Sequence, residues 1–456
     1  MPSGTATKTP RAAVSSNGAI DHDMLAHWRA EFAANPAYRL AMNACSQGNV
    51  DEIALNRRAI SGLDWHFSNE VETGAISNQK RAGLCWMFAA LNWLRIGVIE
   101  KLKVETFEFS QNYLTFWDRL EKANRFLSAM VALRDRPTDD RTIDFLVREP
   151  TPDGGEWHMV ANLIRKYGLV PKSAMNDTAN LTDSGFLNKV VGYKLRQTAA
   201  EIFAAQRKGA GQAAIDEIKR RALAEIYRLL CILLGEPPER FDFTYRDKKK
   251  KFHAHRNLTP RTFFREIVGL DLDDYVWVMS SPLESTPYHQ TFWIEQFNNV
   301  VEGDPGRFLN LPMPDLKDLA VRVLKDKQAI LFGCDVLQEA SSRKLGVLAP
   351  GVLEYDLLFD MPFSMSRQER MQFLQARLTH NMVILGVDLV DDRPVKWKIE
   401  NSWGDEVGNK GIFLMTDAWF DEHVYALIVH KRHLDSDQKA RLKKKPTVLP
   451  PWHPLA

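Results

Sequence analysis

The eleven residues Leu-Cys-Trp-Met-Phe-Ala-Ala-Leu-Asn-Trp-Leu at positions 84–94 constrain the fold more than any other stretch. Leu84, Trp86, Met87, Phe88, Ala89, Ala90, Leu91, Trp93 and Leu94 leave almost no polar face, so a helix here has to be buried on nearly all sides. Such a helix needs a large core around it, and 456 residues, 45% of them hydrophobic, are enough to build one. Gly83 supplies a turn before the helix, and Cys85 falls in its first turn. There the thiol meets the positive end of the helix dipole, which favours thiolate, whereas burial pushes its pKa the other way. An active thiol at this place therefore needs a charged partner; without one, a buried unpaired cysteine is ordinary packing.

The other cysteines, Cys45, Cys231 and Cys334, are far apart and form no C-x-x-C pair or Cys/His cluster. Neither a disulfide framework nor a metal site is indicated, and no cofactor is expected. Cys231 belongs to the apolar stripe of an amphipathic helix, "AAIDEIKRRALAEIYRLLCILLG", and is assigned to packing. Residues 1–20 are small and polar, lack the apolar core of a signal peptide, and read as a disordered leader too short for a large inhibitory prosegment. No window approaches a membrane span, so no membrane partner is expected and the protein is placed in the cytoplasm with reduced thiols.

Along the chain, residues 21–70 show helical spacing and are assigned to an N-terminal helical hook that serves oligomerisation. Residues 71–240 form a helical lobe that carries Cys85 and a helical insertion, including "VETFEFSQNYLTFWDRLEKANRFLSAMVALRD" with Ser110 as a candidate cap. Residues 241–435 turn toward strands, as in "YVWVMSS", "AILFGCDV", "NMVILGVDLV" and "VKWKIENSW", and residues 436–456 form a C-terminal arm. A helical half followed by a β-rich half predicts a two-lobed α+β fold.

The candidate partner for Cys85 is His380, which immediately precedes an apolar strand, while a second strand ends at Asn401. The turn "DDRP" at 391–394 lies between them, so a hairpin would bring His380 and Asn401 together across the ladder. A Cys–His–Asn system needs that geometry: His takes the thiol proton, and Asn orients the ring without neutralising its charge. Gln79 six positions before the thiol, the Cys85-Trp86 pair, His380, and Asn401-Ser402-Trp403-Gly404 together resemble the papain-like cysteine peptidases. The resemblance implies that Gln79 and the Cys85 N–H form an oxyanion hole, that Trp403 shields the His–Asn bond, and that Gly154-Gly155 bind substrate backbone. The long separation between Cys85 and His380, with insertions such as "DGGEWHMVANLIRKYGLVPK" and "YRDKKKKF", is similar to the bleomycin hydrolase / aminopeptidase C group from about residue 22 to the end. That group often has Arg before the nucleophile, where this chain has Leu84.

The chain ends "KKKPTVLPPWHPLA", whose prolines favour an extended arm; the eleven residues from Pro446 could reach roughly 35 Å at about 3.1 Å per residue. Leu449, Trp452 and Leu455 are its apolar anchors. By resemblance the arm lies in the cleft, the Ala456 carboxylate receives the ammonium of the substrate's N-terminus, and the enzyme is a thiol aminopeptidase that assembles as a homohexamer. The group commonly has Asp after this Trp, where this chain has His453 and fewer following residues.

Lys248–Lys251, beside Tyr245 and Phe252, suggest an alternative: a non-catalytic oligomeric protein that binds nucleic acid through phosphate contacts and stacking. The formal net charge of only +2 weighs against that reading, as does the complete Gln79, Cys85, His380 and Asn401 set.

Overall fold

The computed structural model describes residues 18–336 and 341–456; most of the expected leader, residues 1–17, lies outside the described residues. The chain divides into two compact units. The smaller joins the segment up to Ser61 to Gly351–Ser364, and the larger holds everything else.

In the smaller unit, helices His22–Ala34 and Pro36–Gln47 are capped by the Asp21 and Asn35 side chains. Neither helix has a buried residue. Leu55 bridges to Leu353, and the Asn56 N–H donates to the Val352 carbonyl at 2.9 Å. Beyond Ser61 the chain enters the larger unit, where Asn69–Glu70 pairs with the strand that begins at His380.

The larger unit is built on a mostly antiparallel sheet of twelve strands among the described residues. At its centre Tyr275–Met279, Val424–His430, Ile330–Cys334, His380–Val390 and Arg393–Glu400 lie side by side. Both faces are covered, and the period-two rule shows directly in the core. Leu331, Val383, Leu385 and Ile428 face one apolar cluster, whereas Phe332, Met382, Ile384 and Leu427 face the other. Helix Met313–Lys325 contributes to the second cluster, while the helical lobe and the Cys85–Leu102 helix fill the first.

The Cys85–Leu102 helix packs against the His380–Val390 strand and is buried along most of its length, as its all-round apolar sequence requires. Its interior polar side chains each find a partner: Asn92 donates to Ser77 at 2.7 Å, Trp93 to the Ala329 carbonyl at 2.9 Å, and Arg95 to Glu400 at 2.7 Å, while Asn92 Oδ1 and Arg95 Nε stay buried without one. Lys103, in the left-handed region at φ 53°, ends the helix. Helix Gln111–Leu133 starts at Ser110, whose hydroxyl accepts from the Tyr113 N–H. Helices Gly185–Arg207 and Gln212–Leu234 pack onto it, and Cys231 sits half-buried in their apolar contact.

The arm departs from the extended course its prolines predict. Thr447–Leu449 adds to the sheet as a strand parallel to Gln290–Ile294, and the chain then folds into two successive turns. These are closed by His453 N–H to the Pro450 carbonyl at 3.0 Å and Ala456 N–H to the His453 carbonyl at 2.8 Å. Proline fixes only φ, and φ near −65° serves a turn as well as an extended chain.

Candidate active site

The hairpin that carries His380 and Asn401 closes at Asp391-Asp392, both in the left-handed region with φ of 49° and 62°. Two such residues make the tight turn whose twist matches antiparallel strands. Bulges at Ile384/Gly386 and Asp388/Leu389 adjust the register, and Val383 ends opposite Glu400. His380 and Asn401 thus lie just beyond the paired residues, and the His380 Nε2 is 2.9 Å from the Asn401 Oδ1.

The tautomer follows from a neighbouring bond. The Ser402 N–H also reaches Asn401 Oδ1, at 2.7 Å, and an N–H can only donate, so that amide atom is the oxygen. Nε2 of His380 must then carry the hydrogen, which leaves Nδ1 with its lone pair free to accept a proton. Trp403 stacks on the ring with centroids 4.7 Å apart, and both His380 and Asn401 are buried. Trp403 is itself held against Phe413, with Arg343 over its ring at 5.8 Å.

The loop before the thiol is tied to the same corner. Gln79 N–H donates to the Ser402 carbonyl at 2.8 Å, and Ser402 Oγ donates to Gln79 Oε1 at 2.7 Å. This fixes the amide the right way round, with Nε2 on the Ala82 carbonyl at 2.8 Å and its second hydrogen unspent. Gly404 is required here: φ is +85°, and a Cβ would stand 2.5 Å from the Asn78 side-chain nitrogen.

Cys85 is the first residue of its helix, half-buried, and Leu84 offers no side-chain cap to the first-turn N–H groups. Burial pushes its thiol up to about 11, the Asn381 N–H that faces it works the other way, and the Glu156 carboxyl adds to the rise. His380 is pulled down to about 4 by burial, against its bond to Asn401. Each group is thus driven toward its neutral form, so a thiolate and an imidazolium would exist here only as a mutually stabilised pair.

Gly154 and Gly155 follow a buried charge network absent from the sequence-based assignment. Arg119 pairs with Asp153, which also takes Ser184 at 2.6 Å, Asn188 at 2.9 Å and the Gly83 N–H at 3.2 Å. Burial works to raise the Asp153 pKa, but these partners outweigh it and hold the carboxyl below its ordinary value. Lys122, held by Asp118 at 3.0 Å, donates to the carbonyls of Pro152 and Gly154, both at 2.8 Å. The Trp86 indole donates to the Asp153 carbonyl at 2.7 Å, and a Cβ on Gly155 would lie 2.8 Å from that indole ring. A Cβ on Gly154 would meet only open space. Glu156, buried at the start of the next helix and pushed up to about 8, was also unanticipated; the one signal for it is its place directly after the glycine pair.

Within the larger unit, the arm tip packs against the helix Arg141–Arg148. Trp452 lies under Arg141 at 3.9 Å and beside Phe145 at 6.4 Å; Leu449 and Leu455 are buried, and Ala456 is exposed. The lysines 248–251 occupy the turn between strands Phe241–Arg246 and Phe252–Leu258, where Asp247 takes the N–H groups of Lys249 and Lys251 and the His253 ring. That acidic centre lowers the local positive charge that a phosphate would meet. Among the described residues, no group of three His, Cys, Asp or Glu side chains is placed to hold a metal ion, and no helix is long and apolar enough to cross a membrane.

The profile of the Peptidase C1-like family matches residues 19–456. Aminopeptidase C of Lactobacillus delbrueckii subsp. lactis is 39% identical over 439 residues, covering 96% of this chain and 98% of its own. Bleomycin hydrolase of Rattus norvegicus is 33% identical over 450 residues, covering 96% and 99%. The crystal structure of PepW from Lactobacillus rhamnosis HN001 superposes with a TM-score of 0.93 at 42% identity, over 96% of this chain and 99% of that one. With its geometry and these relatives together, the chain belongs to the Peptidase C1-like family, with the papain-like two-lobed fold.

Proposed function

We propose that this cysteine-type aminopeptidase works through Cys85, His380 and Asn401, and that its C-terminal arm confines cleavage to free peptide N-termini. The observation that carries the reading is the buried His380–Asn401 bond, whose tautomer leaves Nδ1 able to accept a proton, on the strand whose next N–H faces the Cys85 thiol. His380 Nδ1 takes the thiol proton, and the thiolate attacks the scissile carbonyl. The second hydrogen of Gln79 Nε2 and the Cys85 N–H receive the developing oxyanion. The imidazolium returns its proton to the departing amine, and water, activated by the same ring, hydrolyses the acyl-enzyme. Trp403 keeps water off the His380–Asn401 bond, Gly154 and Gly155 bind substrate backbone, and the Ala456 carboxylate receives the substrate ammonium.

The exposed apolar side chains Trp28, Phe32, Leu40 and Met42 of the smaller unit support self-association, as a homohexamer, through that unit. Four free thiols suit a reducing, cytoplasmic setting. The test is hydrolysis of one fluorogenic peptide with its N-terminus free and then acetylated, with Cys85→Ala as control. Cleavage of the free form alone, lost in the variant, is expected. Equal cleavage of both forms would remove the arm from its role, and activity surviving in Cys85→Ala would overturn the mechanism.

A further inference from the structure

His453 sits between the two turns that end the chain, with both ring nitrogens engaged. Leu455 N–H points at Nδ1 at 3.3 Å, and Nε2 is 2.9 Å from Ser285 Oγ. An N–H can only donate, so Nδ1 carries the lone pair and Nε2 carries the hydrogen that Ser285 accepts. The Nδ1 bond to the N–H two residues on is the same closure that an Asn or Asp side chain gives a turn. Among the described residues, the other side-chain contacts of the tip are apolar or to the ring of Trp452. His453 therefore provides the side-chain polar link from the last turn to the body of the enzyme, and Ala456 follows it by one turn bond, N–H to the His453 carbonyl at 2.8 Å.

We propose that His453 is the positioning residue that fixes the Ala456 carboxylate, and thereby sets how far a substrate's N-terminus can enter; this rests on the reading that the arm limits cleavage. Only the neutral ring can serve. Protonation at Nδ1 would turn an acceptor toward the Leu455 N–H into a second donor and open the last turn. The charged groups on the elements around it are Glu284 beside Ser285, Arg141 against Trp452, Asp144 and Arg148 on the same helix as Arg141 and paired with each other at 2.7 Å, and the chain's own terminal carboxylate. Burial is the influence that lowers the imidazole pKa, which keeps the ring neutral at neutral pH. As pH falls through that lowered value the turn is lost, so preference for a free N-terminus weakens in acid.

The readout is the ratio of kcat/KM for a free peptide to that for its acetylated form, measured in the full-length enzyme from neutral pH down to the lowest pH at which it stays folded. The ratio should fall in acid for the native chain, and for His453→Ala it should be at least about tenfold lower at pH 7, largely through a higher KM for the free peptide. His453→Asn keeps a non-titrating acceptor at the Nδ1 place but gives up the Ser285 link, so its ratio at pH 7 should lie between those of the native chain and His453→Ala and should show no decline in acid. A Gly-Gly extension after Ala456 moves the carboxylate while His453 stays, and it should also lower the ratio. If the extension lowers the ratio but His453→Ala does not, this inference is overturned and the arm's role stands. If the extension leaves the ratio unchanged, the arm reading fails, and this inference with it. If His453→Asn and the native chain share one pH course, the imidazole is not the switch.

Discussion

The two halves of the candidate site are held in place by different means. His380 and Asn401 belong to one hairpin, set mainly by a two-residue turn and a ladder of backbone bonds, with the buried Arg95–Glu400 pair beside Asn401 as its tie to the Cys85–Leu102 helix. Cys85 and the Gly154-Gly155 strip come from segments far apart in sequence, joined by Asp153, Arg119 and Lys122, which are charges taken out of water. Backbone pairing loses one increment per residue changed. A buried charge whose partner is deleted keeps its full desolvation penalty. The helix side should therefore be brittle in stability, and the strand side sensitive mainly in catalysis.

That contrast can be broken most severely at Asp153. Asp153→Ala leaves the buried Arg119 with only the Thr151 and Pro152 carbonyls and no counter-charge from Asp153, and denaturant unfolding should show a loss of about 3–5 kcal/mol. Removing both charges, as Asp153→Leu with Arg119→Met, should recover a large part of it. Recovery of nothing would mean that the carboxylate matters through Ser184, Asn188 and Gly83 instead. On the strand side, Asn401→Ala should leave the unfolding midpoint much less affected while lowering kcat/KM by roughly 10²-fold, the lower end of what general acid–base catalysis supplies. A large stability loss with intact activity would reverse the contrast.

Between these lies Gly155→Ala, whose new methyl meets the Trp86 ring; overpacking of about 1–3 kcal/mol is expected, with weaker peptide binding measured as a raised KM. The smallest effect is expected at Glu156. Its carboxyl, pushed up to about 8, gains a negative charge as pH rises through that value, and the charge opposes the Cys85 thiolate. A few-fold step down in kcat/KM should therefore appear on the alkaline side and be absent in Glu156→Gln, as read from the pH–rate profile.

The same division explains what could be read from the sequence. The His380–Asn401 juxtaposition was legible because the Asp391-Asp392 turn fixes the strands around it, and Gln79, Cys85 and Trp403 carry a recognisable pattern. The all-round apolar stretch after Cys85 foretold a buried helix because almost no polar residue interrupts it. Arg119, Lys122 and Asp153 were not legible. On a helix such as "YLTFWDRLEKANRF", charged residues read as a solvated face, and only long-range packing reveals that this face is interior. Asn381 was hidden by its neighbour, since the expectation attached to His380 and the N–H beside it has no side-chain signature. The arm was half legible: its anchors Leu449, Trp452 and Leu455 do engage the body and Thr447–Leu449 is extended, yet the prolines predict an extended course where the chain after Leu449 turns, because φ near −65° serves both.

The central claim is that Cys85 and His380 share a proton as a coupled pair. The most direct measurement is the rate of Cys85 alkylation by iodoacetamide as a function of pH, followed on the Cys85 peptide by mass spectrometry, in the native enzyme and in His380→Ala. In the native enzyme, rapid alkylation should persist well below the ordinary thiol range. In His380→Ala, reactivity should appear only as pH climbs toward the value of about 11 that burial imposes on an isolated thiol. Alkylation with the same pH course in both proteins would contradict the pairing and leave Cys85 a buried thiol that His380 does not activate.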